Sequence, residues 1–430
     1  MRAAGRIAAA VEVLRDVEAR RRPVADALKD WGLSHRFAGS GDRAAIGNLV
    51  YDALRWRRSS AWRAGGDTAR AAVLGTLRFR WGVGPEDLAA LALEGHGPGA
   101  LSPEEEASLA VDRLAEAPAD VRADVPAWLL PALEAGFGED AVAEAEALAT
   151  RAPVDLRVNT LRSDRERVLK ALARFGAEAT PISPLGVRLP ARAGWERAPA
   201  VVREDIYLRG HVEVQDEASQ IAALLVGARA GEQVMDLAAG AGGKTLALAA
   251  AMENRGQVHA TDADRSQLAP IYDRLKRAGV RNVQVHPPGS DLSPLEGRMD
   301  RVLVDAPCSG SGTWRRRPDT KWRLTAEALA RRTAEQDAIL DTARAYVRPG
   351  GALVYVTCSV LPQENEARVA QFLARSPDFA PVCAPDAFAR LFGAAAPRPR
   401  CADGTSLTMT PASTGTDGFF VSLLERRSVR

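Results

Sequence analysis

Cysteine is scarce in this chain of 430 residues, with four, at positions 308, 358, 383 and 401. Their separations match no paired metal-ligand spacing, so no metal is expected. Four thiols are also too few to staple a secreted scaffold, which favours a reducing, cytoplasmic setting. Long apolar runs are missing too: no stretch approaches ~20 uncharged apolar residues, so no membrane-spanning helix is expected. Between Met1 and Arg22 the chain is broken by Arg6, Glu12, Arg15, Asp16 and Glu18, and it lacks the apolar core of a signal peptide. An excess of one charge is absent as well. The net charge is +2, so a polyanionic partner would have to be met by local basic patches and not by a global field. What remains is ordinary for folded protein, 46% hydrophobic and 26% charged. A chain of this length exceeds one core, and two or three domains are expected. Nothing reads as a coiled coil or swapped element, which makes a monomer the default.

Three textures follow one another. Residues 1–145 are rich in Ala, Leu, Arg and Glu, with apolar positions such as Ile7, Val11, Leu14 and Val17 at helical spacing, and read as an all-helical domain. Arg55, Arg57 and Arg58 around Trp56 read either as a solvated helix face or as a phosphate contact. Residues 146–210 alternate apolar and polar positions at Val154, Leu156 and Val158 and are punctuated by Pro181, Pro184 and Pro190, as in a small α/β module. In residues 211–430 strand-like runs at 234–238, 257–262, 283–285, 301–305 and 352–357 alternate with helical ones, which predicts a doubly wound parallel sheet. A further apolar run at 418–424 predicts one more strand.

The first of these strands leads into Asp236-Leu237-Ala238-Ala239-Gly240-Ala241-Gly242-Gly243-Lys244-Thr245, a glycine-rich turn that opens a helix. Glycines there let backbone approach a ligand, and residues 238–244 are candidate cofactor contacts. Gly243-Lys244-Thr245 also satisfies a loose phosphate-loop pattern, although Ala238 stands where a strict one places glycine. Asp262, 20 residues after Gly242 at the end of the next strand, argues for an adenosine ribose over a triphosphate, because an acid there accepts bonds from ribose hydroxyls. A nicotinamide dinucleotide would use the same geometry.

Two cysteines leave core-like strands at equivalent points. Val302-Leu303-Val304-Asp305-Ala306-Pro307-Cys308-Ser309-Gly310 and Val354-Tyr355-Val356-Thr357-Cys358-Ser359 both end at the carboxyl edge, where such sheets bind ligands. The two thiols are therefore expected to face one pocket, across 50 residues of sequence, with Asp305 beside them. Cys383 and Cys401 read as small buried side chains.

These motifs, with Leu156-Arg157-Val158-Asn159-Thr160, Val214-Gln215-Asp216-Glu217-Ala218-Ser219 and the tail Gly415-Thr416-Asp417-Gly418-Phe419-Phe420, resemble the Sun/Fmu family of ribosomal RNA cytosine-5 methyltransferases, relatives of the nucleolar proliferation antigen. The resemblance spans about 150–424. It implies a Rossmann-like domain binding S-adenosylmethionine and RNA as substrate. Thiolate addition to carbon 6 of cytosine would activate carbon 5 for methyl transfer. It further implies Cys358 as nucleophile, Cys308 as the residue assisting release, and Asp305 near both base and cofactor. Strand order alone leaves the two thiols interchangeable. The helical region, with Asp42-Arg43-Ala44 and Leu49-Val50-Tyr51-Asp52-Ala53-Leu54-Arg55, is similar to an antitermination-factor-like RNA-binding domain, which favours small-subunit ribosomal RNA over transfer RNA. Ala238 and Ala241 depart from the Cys and Pro common in that family. Pro288-Gly289-Ser290-Asp291 replaces its usual Gly-Asp, leaving Asp291 as the candidate adenine-side acid.

Just downstream of Cys308, Trp314-Arg315-Arg316-Arg317-Pro318 and Lys321-Trp322-Arg323 interleave cations with aromatics. Arg315, Arg316, Arg317, Lys321 and Trp322 are therefore the expected RNA contacts, by phosphate pairing and base stacking, the alternative being a solvated arginine loop with its tryptophans in the core. Two other readings compete. A non-catalytic RNA-binding assembly factor leaves Cys308, Cys358 and Asp305 without a task, and a nicotinamide oxidoreductase leaves both thiols unexplained.

Overall fold

The computed structural model describes residues 1–428. Its chain divides into two compact units. One comprises Met1–Ala152, Ala191–Ala198 and Thr313–Leu324, and the other Pro153–Pro190, Pro199–Gly312 and Thr325–Arg430.

The first unit is helical throughout. Ile7, Val11, Leu14 and Val17 fall on one stripe of the helix Ala3–Arg20, and all are at most 5% exposed. They meet Ile46, Leu49 and Leu54 of Ser40–Arg55 and Leu74 and Leu77 of Ala69–Phe79 in one core. Each fully buried side chain of this size contributes roughly 1.5–3 kcal/mol. Helix starts carry the expected caps: Thr68 accepts from the Ala71 amide, and Ser102 forms a capping box with Glu105. The arginines around Trp56 are engaged within the unit. Arg55 pairs with Asp52, Arg57 with Glu18 and Asp67, and Arg58 with Asp120. Two short excursions complete this unit. In 191–198, Trp195 meets Trp81 edge-on at 4.6 Å and the Gly194 and Glu196 carbonyls accept from Asn48. In 313–324, the Trp322 indole donates to the Leu54 carbonyl at 2.7 Å. The segment Thr313–Leu324, a few residues after Cys308, thus belongs to the helical unit, with Trp314 in its interior.

The second unit holds two sheets. In the smaller one, β1 (Val154–Val158), β2 (Glu178–Ala179), β3 (Gly186–Leu189) and β4 (Val212–Val214) lie in the order β2-β3-β1-β4, all antiparallel. Leu156, Val158, Val187, Leu189 and Val212 pack with Val168 and Leu172 of the helix Arg165–Leu172. The larger sheet contains β5 (Gln233–Asp236), β6 (Gln257–Thr261), β7 (Val283–His286), β8 (Met299–Asp305), β9 (Val347–Thr357), β10 (Phe379–Val382), β11 (Leu407–Met409) and β12 (Phe419–Arg426). Its order is β10-β12-β9-β8-β5-β6-β7, with β11 beside β12. Strands β5 to β9 are parallel, and β12 runs antiparallel to β9. Successive residues face opposite layers. Leu303, Val354 and Val356 pack with Ile221, Leu248 and Phe388, whereas Val302, Val304, Leu353 and Tyr355 pack with Leu340, Ala343 and Phe372. Burial on both faces explains why these strands read as unbroken apolar runs.

The expected doubly wound sheet and its terminal strand are present. β10 and β11 were not anticipated: both are short, and β10 carries Pro381, which an edge strand tolerates and a central one does not. Cys401 is exposed and Cys383 half-buried, so neither is the fully buried side chain expected from its sequence setting. Among the described residues no helix is long and apolar enough to cross a membrane.

Candidate active site

Strand order reverses at β5, with β6 on one side and β8 on the other, and this places a crevice outside the carboxyl ends of those strands. A cleft of about 1240 Å³ opens there. It is lined by the glycine turn, by Asp262 after β6, by Pro287, Pro288 and Leu292 after β7, by Asp305 at the end of β8 and by Pro307 after it. Ala238, Ala239, Gly240, Ala241, Gly243, Lys244, Asp262 and Asp305 all reach it. Gly242 serves the fold instead of the surface: its φ is +83°, and a Cβ there would lie 2.5 Å from Ile271. Gly240, with φ +49°, has open space where a Cβ would sit, and its N–H donates to the Asp262 carboxylate at 2.8 Å.

Asp291 does not line the cleft. It is exposed, and its carboxylate accepts from the Ser293 amide at 3.0 Å and hydroxyl at 2.7 Å, an Asx-type arrangement that turns it toward its own loop. The expected adenine-side acid is thus corrected. The wall after β7 is built from Pro287, Pro288, Gly289, Ser290 and Leu292, an apolar plate with small residues.

At the other end of the cleft, Lys244 donates to Asp305 Oδ2 at 2.6 Å and lies 5.2 Å from the Phe419 ring centroid. Lys244 is 7% exposed, so its ammonium needs that carboxylate. Beneath it, Asp236 ends β5 with one oxygen on the Thr245 hydroxyl at 2.7 Å; burial pushes its carboxyl up to about 7. The two cysteines of the strand ends come together, with Cys308 Sγ and Cys358 Sγ 3.3 Å apart. The hydrogen bond with Cys358, reinforced by burial, pushes the Cys308 thiol well above the usual thiol range.

The loop carrying Cys308 is tied down by residues that the sequence did not single out. Glu364, fully buried, accepts from the Ser309 amide at 2.7 Å and from its hydroxyl, while Gln336 donates to both Glu364 and the Pro307 carbonyl. On the Cys358 side, Ser359 meets Ser311 at 2.9 Å, and the Gly312 amide donates to the Cys358 carbonyl at 3.0 Å. Gln215, Ser219 and Arg274 also line the cleft. The first two belong to the Val214–Ser219 motif, so that resemblance was the available signal for them. Arg274 had none.

The expected RNA contacts at 315–322 are corrected. Arg315 is 3% exposed and Lys321 1%. Lys321 donates to the Arg55 carbonyl at 3.2 Å and lies 4.8 Å from the Trp322 ring, so cation and aromatic satisfy each other inside the helical unit. Trp322 is occupied by its bond to Leu54, Arg316 is half-buried, and only Arg317 of the five is exposed.

Residues 223–425 match the family described as 16S rRNA methyltransferase RsmB/F, and residues 125–194 match its ferredoxin-like domain. The ribosomal RNA small subunit methyltransferase B of Klebsiella pneumoniae is 37% identical over 257 residues, covering 59% of this chain and 58% of the relative. That of Cronobacter sakazakii is 34% identical over 315 residues, covering 70% and 66%. The chain spans about three fifths of the length of most curated relatives it matches. Among solved structures, a methyltransferase homolog protein from Pyrococcus horikoshii is 27% identical, with a TM-score of 0.59, covering 72% of this chain and 97% of that one.

Proposed function

Since its two matched regions place this chain in the Sun/Fmu family of RsmB/F-type methyltransferases, we propose that it methylates carbon 5 of a cytosine in RNA, small-subunit ribosomal RNA first, at the expense of S-adenosylmethionine. The residues of the cleft fit that cofactor. Asp262 stands where ribose hydroxyls are bound, Pro287, Pro288 and Leu292 offer an apolar wall to an adenine, and the open space at Gly240 admits close approach. When bound, the cofactor supplies an electrophilic methyl group.

The observation that carries the proposal is the pair of thiols 3.3 Å apart just past the ends of β8 and β9, where β8 itself ends in Asp305, the partner of Lys244. Carbon 5 of cytosine is too weak a nucleophile by itself. The Cys358 thiolate adds to carbon 6, and the electron pair displaced to carbon 5 takes the methyl group. Asp305, oriented by Lys244, accepts a hydrogen bond from the exocyclic amine of the base. A water molecule acting as base takes the carbon 5 proton, and the electron pair of that bond re-forms the 5,6 double bond as the carbon 6–sulfur bond breaks, expelling Cys358 as thiolate and restoring the ring. Cys308, with its sulfur 3.3 Å from that of Cys358, is the group at hand to assist that release.

Wild type, Cys358→Ala and Cys308→Ala, each incubated with S-adenosylmethionine and unmodified small-subunit ribosomal RNA, test this on a denaturing gel. A covalent protein–RNA adduct is expected to accumulate only in Cys308→Ala. An adduct that instead requires Cys308 reverses the two roles. Absence of adduct in every variant, with no methyl transferred by wild type to ribosomal or transfer RNA, refutes the activity.

A further inference from the structure

Glu364 and Asn365 are neighbours in the chain, both buried, at 0% and 1% exposed, in the turn between Cys358 and the helix Glu366–Arg375. Their backbones are fixed by that turn and by the helix start. The Glu364 amide donates to the Leu361 carbonyl at 3.0 Å, its carbonyl accepts from the Tyr355 hydroxyl at 2.7 Å, and the Asn365 carbonyl accepts from the Arg368 amide at 3.0 Å. The two side chains therefore leave one fixed point, and they go to different cysteines.

Each side chain grips the residues that flank one thiol. Glu364 Oε1 accepts from the Ser309 amide at 2.7 Å and Oε2 from the Ser309 hydroxyl. Gln336 Nε2, which donates to the same Oε1 at 3.0 Å, also donates to the Pro307 carbonyl at 2.9 Å, so both neighbours of Cys308 hang on this carboxylate. Asn365 Oδ1 accepts from the Thr357 hydroxyl at 2.6 Å and its Nδ2 donates to the Ser359 carbonyl at 3.0 Å, which holds both neighbours of Cys358. A buried carboxylate or amide is costly unless its polar atoms are matched. Here the matching partners are the two loops that carry the thiols, one loop for each side chain.

We infer that Glu364 and Asn365 are positioning residues with separate tasks, Glu364 with Gln336 setting the Cys308 thiol for release and Asn365 setting the Cys358 sulfur for addition to carbon 6. This rests on the division of labour between the two thiols proposed above. Time courses of adduct formation on unmodified small-subunit ribosomal RNA with S-adenosylmethionine, read on denaturing gels, test it, with S-adenosylhomocysteine binding by calorimetry as the check of folding. Glu364→Ala is expected to raise trapped adduct about tenfold or more over wild type, as Cys308→Ala does. Glu364→Gln keeps an acceptor for the Ser309 amide and is expected to bring the trapped fraction back down about fivefold or more. Asn365→Ala acts in the opposite direction: placed in the Cys308→Ala protein, it is expected to slow adduct formation about tenfold or more. Where an alanine variant no longer binds S-adenosylhomocysteine, Ser309→Ala and the near-isosteric Thr357→Val remove the partner hydroxyls instead, and are expected to shift the adduct in the same two directions. Adduct changed in one direction by both sets, adduct unchanged in both, or binding lost in all four variants overturns the inference in favour of a purely structural role. Failure of Cys308→Ala itself to trap adduct overturns the assignment of the two thiols, and this inference with it.

Discussion

Lys244 and Lys321 are both withdrawn from solvent, 7% and 1% exposed, yet their surroundings differ in kind. Lys244 has a carboxylate at 2.6 Å, and that carboxylate, Asp305, is one-third exposed in the cleft. Lys321 has a backbone carbonyl at 3.2 Å and lies 4.8 and 5.7 Å from two tryptophan rings, and burial lowers its ammonium to about 8. An ammonium matched to an accessible carboxylate orients a group that chemistry can use. One matched to carbonyl and aromatic faces holds a core together, and the burial it suffers appears in its proton affinity. Both lysines follow glycine or arginine-rich turns in sequence, and only their partners separate them.

The sharpest way to break that comparison is to remove each charge at constant volume. Lys244→Met is expected to lower kcat/KM for methyl transfer about 100-fold or more, because Asp305 loses the group that orients it. Lys321→Met should stay within about threefold of wild type, a volume-conserving change outside the cleft. Equal losses in the two variants, measured with labelled methyl donor, would erase the distinction drawn here.

Stability should respond the other way round. Lys321→Ala removes the stem between Trp314 and Trp322 and is expected to cost about 2–4 kcal/mol in the denaturant transition of the helical unit. The pH dependence has a definite sign. Between pH about 8 and 10.5 the unfolded chain holds a proton on Lys321 that the folded chain has lost, so wild-type stability rises across that window relative to Lys321→Met. A constant difference between the two proteins from pH 7 to 10.5 would contradict the burial argument.

A last effect concerns the Asp236 carboxyl group behind Lys244. Asp236 binds its proton up to about pH 7 in the folded chain, against 3.8 as its ordinary value, so its contribution makes stability fall as pH rises from about 4 to 7. Asp236→Asn should remove that decline, read as the difference between variant and wild-type melting temperatures across the same range. An unchanged slope would place the titrating group elsewhere.

Much of the site was legible in the order of residues. Apolar runs marked the central strands, glycines marked the turn after β5, and Cys308 and Cys358, each directly after such a run, were expected on one rim. Their sulfurs lie 3.3 Å apart. Asp291 misled because a loop acid chooses its partner locally, and Ser293 two residues on offered two donors. The cation–aromatic segment misled for the opposite reason: Lys321 and Arg55 are 266 residues apart, and nothing near either one announces the other.

By itself, then, the sequence determined the helical region, the doubly wound sheet and the meeting of two thiols. Each of these follows from a local period or from the handedness that sends all parallel strands of one sheet to a common carboxyl edge. Tertiary structure alone decided which polar side chains serve the cleft and which serve the core. Lys321 vanished beneath tryptophans, and Glu364 was drawn onto the Cys308 loop. Such outcomes depend on neighbours brought in from distant sequence, where a buried polar atom takes whatever partner the packing delivers.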